Sequence, residues 1–303
     1  MGRTKDDAGA ASDAGEAREA GAKDASSERS VPNADTGSDA RKPAEAGPCA
    51  GRGAVAVGFR DSLTLNVDGA QRIYAITVPS DYTNATPYPL VIAFHGDMMT
   101  GSSFRGLFPI ENAAAIASGP AIFVWPYAGD SGAFLQGVDP PDNADVDFFD
   151  AMIAAFESTY CVDDARVFVT GFSSGAFFAN QLSRWRSGVV KGDASQSGGA
   201  PYGIEPGDTD PNTGGATLAG PVPAIVIVDP MDPILDPGDP LVPVEYFEAA
   251  DSCGSATSAW TTGPCVQATG CSQPVVSCSI PGLGHAIWPG SAKAIWSFFA
   301  SLP

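Results

Sequence analysis

Arg166-Val167-Phe168-Val169-Thr170-Gly171-Phe172-Ser173-Ser174-Gly175-Ala176-Phe177-Phe178-Ala179 is an apolar run, a G-x-S-x-G, then a helix-like stretch. In that context a strand turns sharply into a helix and leaves the central serine, Ser173, standing out on a strained turn as a nucleophile. The same arrangement predicts its partners in a fixed chain order. An oxyanion loop should lie upstream, with an acid and then a histidine downstream.

Working outward, the run belongs to a series. Leu63–Val67 and Arg72–Val78 read as an antiparallel pair joined through Asp68-Gly69, a strong hairpin signal. Pro89–Phe94, Ala121–Trp125 and Ala224–Val228 are continuous apolar runs, as in strands buried on both faces, and Gln273–Ile280 is a weaker one. Helical patterns fall between them at Val146–Tyr160, Ala176–Arg186, Val244–Ala250 and Ser291–Leu302. This alternation predicts an α/β fold: a doubly wound, mostly parallel sheet with an antiparallel start. Residues 49–303 are read as one domain, with Gly203–Gly220 as a long surface loop.

Residues 1–48 read differently. Apart from Met1 and Val31 they hold no large aliphatic and no aromatic residue, so they cannot bury enough apolar surface to offset the entropy of ordering. A disordered Ala/Gly/Ser-rich tether is expected there. With seven basic and ten acidic residues it supplies little of the net charge of −19. The remainder is strongly acidic and has only two lysines, Lys191 and Lys293, which disfavours a nucleic-acid partner. No run of eighteen apolar residues exists to span a membrane.

The six cysteines, Cys49, Cys161, Cys253, Cys265, Cys271 and Cys278, are even in number and lack zinc-ligand spacing. Disulfides and an oxidising compartment are expected. The first residues show no signal-peptide pattern, so an extracellular or surface-tethered location would need an export signal or lipid anchor not visible in this chain.

Chemistry narrows quickly because the chain has two histidines. His285, in Gly284-His285-Ala286 after the last strand, stands where the general base is expected. His95, in Phe94-His95-Gly96-Asp97, stands at the end of the third strand, beside the expected oxyanion loop, and is a candidate substrate contact. The backbone N–H of Ser174 and one at Asp97 or Met98 are the oxyanion donors to look for. The acid could be Asp229, Asp232, Asp236 or Asp239, all following strand Ala224–Val228. Asp145 and Asp147, ahead of the apolar-periodic Phe148–Phe156, read as helix-capping residues rather than a catalytic pair. Among Trp125, Tyr127, Phe134, Trp185 and Trp288, core packing is the ordinary reading. Trp288, three residues past His285, is the best candidate to meet a substrate.

From Cys49 to the C-terminus the chain resembles the secreted polyhydroxybutyrate depolymerase and feruloyl esterase family, a carbohydrate-esterase branch of the α/β-hydrolases. The residues that carry the resemblance are Arg72-Ile73-Tyr74 with Val78-Pro79, Val91–Gly96, Asp145–Asp150, Tyr160–Asp163, Arg166–Gly175, the cysteine-rich tail with Gly284-His285, and Ala294–Phe299. It implies an α/β-hydrolase that cleaves feruloyl, acetyl or hydroxyalkanoate esters through an acyl-enzyme, with no metal or cofactor. A monomer is expected.

The family's acid lies in an H-G-x-x-D-x-x-V-P segment. Asp232 matches by distance from the strand, while Asp239-Pro240-Leu241-Val242-Pro243 reproduces the second half; Asp232 is preferred. Two departures stand out. Asp229-Pro230 replaces the His-Gly pair, and Asp97-Met98-Met99 replaces a glycine-rich oxyanion loop. The methionines would restrict positive φ or form an adaptable wall for an acyl group. The competing expectation is a non-catalytic surface binding protein that keeps the hydrolase fold.

Overall fold

Two residues with positive φ, Asp68 (49°) and Gly69 (88°), close the first hairpin, as its right-handed twist requires. They join β1 (Gly58–Val67) to β2 (Ala70–Val78), with Val67 opposite Ala70. The computed structural model describes residues 49–303 other than 50, 118, 139, 141, 202–220, 236–238 and 262. The expected tether over 1–48, the loop Gly203–Gly220 and Asp236 fall outside the described residues.

The remaining strands are β3 (Tyr88–Phe94), β4 (Ile122–Pro126), β5 (Val162–Phe172), β6 (Gly192–Gln196), β7 (Ala224–Val228), β8 (Thr257–Ala259), β9 (Cys265–Ala268) and β10 (Val275–Ser279). They form one sheet in the order β1-β2-β4-β3-β5-β6-β7-β10-β9-β8. Pairing is parallel from β4 through β10 and antiparallel at both flanks. This is the α/β-hydrolase architecture. The antiparallel C-terminal flank, β8 and β9, adds to the expected plan.

Strand periodicity sorts the core into two layers. On β3, Leu90, Ile92 and Phe94 pack with α3 (Ala144–Thr159) and α4 (Ser174–Trp185), through Phe149, Met152, Phe156, Phe178 and Leu182. Its alternate residues, Val91 and Ala93, pack in the other layer, with Phe104 of α1 (Gly101–Leu107), Ile110 of α2 (Ile110–Ala117) and Ile295, Phe298 and Phe299 of α6 (Ser291–Phe299). Helix α5 (Val242–Ala250) places Phe247 against Val226 and Val228 of β7.

The cap of α3 is a correction. Asn143 Oδ1 accepts from the N–H groups of Asp145 and Val146. Asp145 is buried and pairs with Arg72, and its other oxygen accepts from Leu135 N–H at 2.7 Å. The carboxylate is consumed by a charge partner from β2, so the short amide side chain upstream does the capping.

The cysteines form three disulfides: Cys49–Cys161, Cys253–Cys271 and Cys265–Cys278. The last joins directly opposed residues of β9 and β10. None of the described cysteines is free, and no helix among the described residues is long and apolar enough to cross a membrane.

Candidate active site

Ser173 lies between β5 and α4 with φ 53° and ψ −126°, a strained conformation for a residue with a Cβ. Two close approaches hold it there. A Cβ on Gly171 would come within 2.1 Å of Gly175 O, and one on Gly175 within 2.2 Å of Phe94 O and 2.5 Å of His95 O. The glycines of the motif thus let the strand fold back onto α4 and let α4 lie against the end of β3. Gly96 meets the same demand, since a Cβ there would approach Ser173 Cβ to 3.1 Å.

His285 Nε2 lies 2.8 Å from Ser173 Oγ, and its Nδ1 lies 2.8 Å from Asp232 Oδ2. The Asp232 side chain is 1% exposed and that of His285 16%, so the carboxylate is shielded while the imidazole edge stays open to solvent. Asp232 Oδ1 accepts from Ile234 N–H at 3.0 Å, which fixes the carboxylate's plane. The Phe172 ring sits 5.3 Å from the imidazole, an apolar wall on one side. A hydroxyl, an imidazole and a shielded carboxylate in this chain of contacts can transfer a proton and stabilise the imidazolium that forms.

No family model matches the chain. Feruloyl esterase C of Emericella nidulans is 28% identical over 270 residues, covering 83% of this chain and 93% of that protein. The probable feruloyl esterase C of Aspergillus terreus is 26% identical over 253 residues, covering 77% and 85%. The chain is an α/β-hydrolase related to the feruloyl esterases. Among solved structures, the acetyl xylan esterase from Aspergillus awamori matches with a TM-score of 0.60 at 17% identity, over 76% of this chain and 94% of that one. That likeness is one of fold. On the relatives' evidence this esterase homologue is a carboxylic ester hydrolase.

The other expected site residues of this feruloyl esterase relative divide. Ser174 opens α4, so its N–H points out of the helix end with no intrahelical acceptor. Of the two candidates for the second donor, Met98 gives its N–H to Gly132 O at 3.3 Å, which leaves Asp97. Met98 does adopt positive φ (59°), and its side chain is almost wholly exposed rather than folded over the serine as a wall.

His95 is a correction. It is 1% exposed, with Nδ1 2.7 Å from Gly96 O and Nε2 accepting from Ala128 N–H. Both ring nitrogens are taken by backbone, so it ties the end of β3 to the segment after β4 and cannot reach a substrate. Burial pushes its pKa down, in keeping with a neutral ring. Trp288 is partly buried, its indole packed against Gly290 and Gly263. Trp125, Phe134 and Trp185 are core residues, while Tyr127 bonds to Asp61 and Ser102. Asp239 opens a 3-10 turn, Asp239–Leu241, ahead of α5.

Proposed function

We propose that this chain hydrolyses feruloyl or acetyl esters carried on polysaccharide, or hydroxyalkanoate esters, through Ser173, His285 and Asp232. The observation that carries the reading is the unbroken contact from Ser173 Oγ through both imidazole nitrogens to a shielded carboxylate, 2.8 Å at each step. Ser173 Oγ attacks the ester carbonyl carbon while His285 Nε2 takes its proton. The N–H groups of Ser174 and Asp97 receive the oxyanion. Collapse of the tetrahedral intermediate breaks the bond to the alkoxy oxygen, and the imidazolium returns the proton to the departing alcohol. Water then attacks the acyl-enzyme with His285 again as base, releasing the acid and restoring Ser173. Trp288, three residues past His285 in the chain, is the aromatic that this reading assigns to a phenolic or sugar moiety.

The substrate reading draws on relatives named as feruloyl esterases and a structural neighbour named as an acetyl xylan esterase. Three disulfides favour an extracellular or surface-tethered setting. The test is labelling by a fluorophosphonate and hydrolysis of a p-nitrophenyl ester, in wild type and Ser173→Ala. A panel of methyl ferulate, acetylated xylan and hydroxybutyrate oligomers then ranks substrates. A wild type that neither labels nor turns over any of them would leave the binding-protein alternative standing.

A further inference from the structure

Asp229 closes β7, three residues before Asp232, and is buried. Its two oxygens do different jobs. Oδ1 accepts from Met231 N–H at 2.9 Å, inside the turn that carries Asp232. Oδ2 accepts from Gly284 N–H at 2.7 Å, the residue immediately before His285. The same turn is closed by Asp232 N–H donating to Asp229 O at 3.1 Å. On the other side, the chain folds tightly around His285, with Ala286 N–H donating to Gly284 O at 3.0 Å. Parallel pairing of β7 with β10, which sets Val228 opposite Ser279, brings the two loops side by side.

We infer that Asp229 is a positioning residue for the proposed relay: its carboxylate bridges the loop of the acid to the loop of the base and sets their spacing. The inference rests on the Ser173–His285–Asp232 reading. Three facts carry it. The carboxylate is buried, so both hydrogen bonds form away from competing water. Charge-assisted bonds to backbone N–H groups are stronger than neutral ones, and these amides hold the Asp229 carboxyl below the usual carboxylate range. Gly282 (φ 82°) and Gly284 (φ 68°) bring no side chain to fix the stretch that leads into His285, although Ile280 and Ile287 on either side pack against the core, so the Gly284 N–H bond to Asp229 is what ties that stretch to the end of β7. The departure from the family's His-Gly pair thereby acquires a role: Asp229 supplies the brace in this chain.

The test compares Asp229→Ala and Asp229→Asn with wild type, Ser173→Ala and Asp232→Asn. It uses p-nitrophenyl acetate turnover, normalised to the fraction of chains that label with a fluorophosphonate, together with thermal melting. Asp229→Ala is expected to lower kcat per labelled site by about 10- to 100-fold, the cost of roughly ångström-scale misplacement, with KM within about twofold. Asp229→Asn keeps one acceptor oxygen and turns an NH2 towards one of the two amides. It is expected to recover part of the loss while remaining below wild type.

A purely structural residue would lower the labelled fraction or the melting temperature and leave kcat per labelled site at the wild-type value. That result would overturn the inference, as would an Asn variant with full kcat, which also decides the matter if the Ala variant does not fold. Should Ser173→Ala turn over normally, the relay itself falls and the brace with it. A dead Ser173→Ala beside a fully active Asp229→Ala sinks the brace alone.

Discussion

Replacing Gly175 with alanine adds a single methyl group at the point where α4 meets the end of β3. That Cβ would lie 2.2 Å from Phe94 O and 2.5 Å from His95 O, against a practical lower limit of 3.0 Å, and both obstacles are backbone. The start of α4 must therefore retreat by about 0.8 Å, the difference between 2.2 and 3.0 Å. Ser173 and the Ser174 N–H ride on that segment. A shift of this size along the line to His285 would lengthen the 2.8 Å contact from Ser173 Oγ to about 3.6 Å, beyond hydrogen-bonding range. The expected outcome is a kcat loss of about 10- to 100-fold with a stability loss of about 1–3 kcal/mol from overpacking. Gly106→Ala in α1 is the control, because its added Cβ meets nothing within 4 Å. It should leave kcat alone and stabilise the fold by up to about 1 kcal/mol. Steady-state turnover and thermal melting of both variants decide the point. A Gly175→Ala enzyme with kcat within twofold of wild type would refute the claim that the close approach of α4 sets the serine.

Asp232→Asn should cut kcat by about 10³- to 10⁴-fold through the wrong tautomer and orientation of His285, as in other relays of this kind, with little change in melting temperature. Removing the Cys49–Cys161 bridge by a double Cys→Ala substitution opens a loop spanning 112 residues and should cost about 5 kcal/mol by loop entropy; chemical denaturation measures it. The 13-residue separation of Cys265 and Cys278 implies about 3 kcal/mol for that bridge. His95→Ala should destabilise by about 3 kcal/mol, since it leaves Gly96 O and Ala128 N–H without the ring that joins them. Burial pushes the Asp193 carboxyl up to about 8 and that of Asp251 up to about 7. With the folded pKa above the unfolded one, their contribution is complete below about pH 4 and is lost as pH rises towards 8. Unfolding curves of Asp193→Asn across pH 5–8 should show a shallower decline than wild type; an unchanged slope would contradict the buried-acid argument.

Most of the central strands and four of the six helices among the described residues were legible because burial on both faces writes continuous apolar runs, and amphipathic packing writes a helical period. β6 was not. It reads Gly-Asp-Ala-Ser-Gln yet every residue is buried, because both of its edges pair with neighbours and Gly192 lies against Phe168 and Leu302. Helix α1, with two glycines and two serines in seven residues, has no propensity signal; it stands on the reciprocal cap between Thr100 and Ser103. Strand β8 is exposed at all three positions and leaves no apolar trace.

At the site, counting two histidines and following chain order pointed to Ser173 and His285, the preference for Asp232 among four acids rested on the family resemblance, and the role of His95 could not be read. A histidine beside an expected oxyanion loop looks the same in sequence whether its ring faces substrate or, as here, two backbone groups. Asp229 had one signal available: an acid at a strand end, before proline, in place of the family's His-Gly pair. It could be noticed but not interpreted, because the partner at Gly284 is 55 residues away.

The order of the four strands β5-β6-β7-β10 explains why the relay needs long loops from one side only. Ser173 follows β5, and its N–H donates to Gln196 O at the end of β6, so the serine is tied to the neighbouring strand. Asp232 follows β7, whose neighbour on the other side, β10, delivers His285. Asp232 and His285 therefore arise from adjacent strands, while Ser173 stands two strands from Asp232 with β6 between. The imidazole spans that gap: one nitrogen faces its own side, the other reaches across to the serine. A histidine loop that leaves β10 and reaches a serine at the end of β5, past β7 and β6, while holding both contacts at 2.8 Å cannot rely on its own glycines for rigidity. The buried carboxylate of Asp229, at the end of β7, takes the Gly284 N–H at 2.7 Å and so gives that loop a hydrogen bond to the sheet directly beside His285.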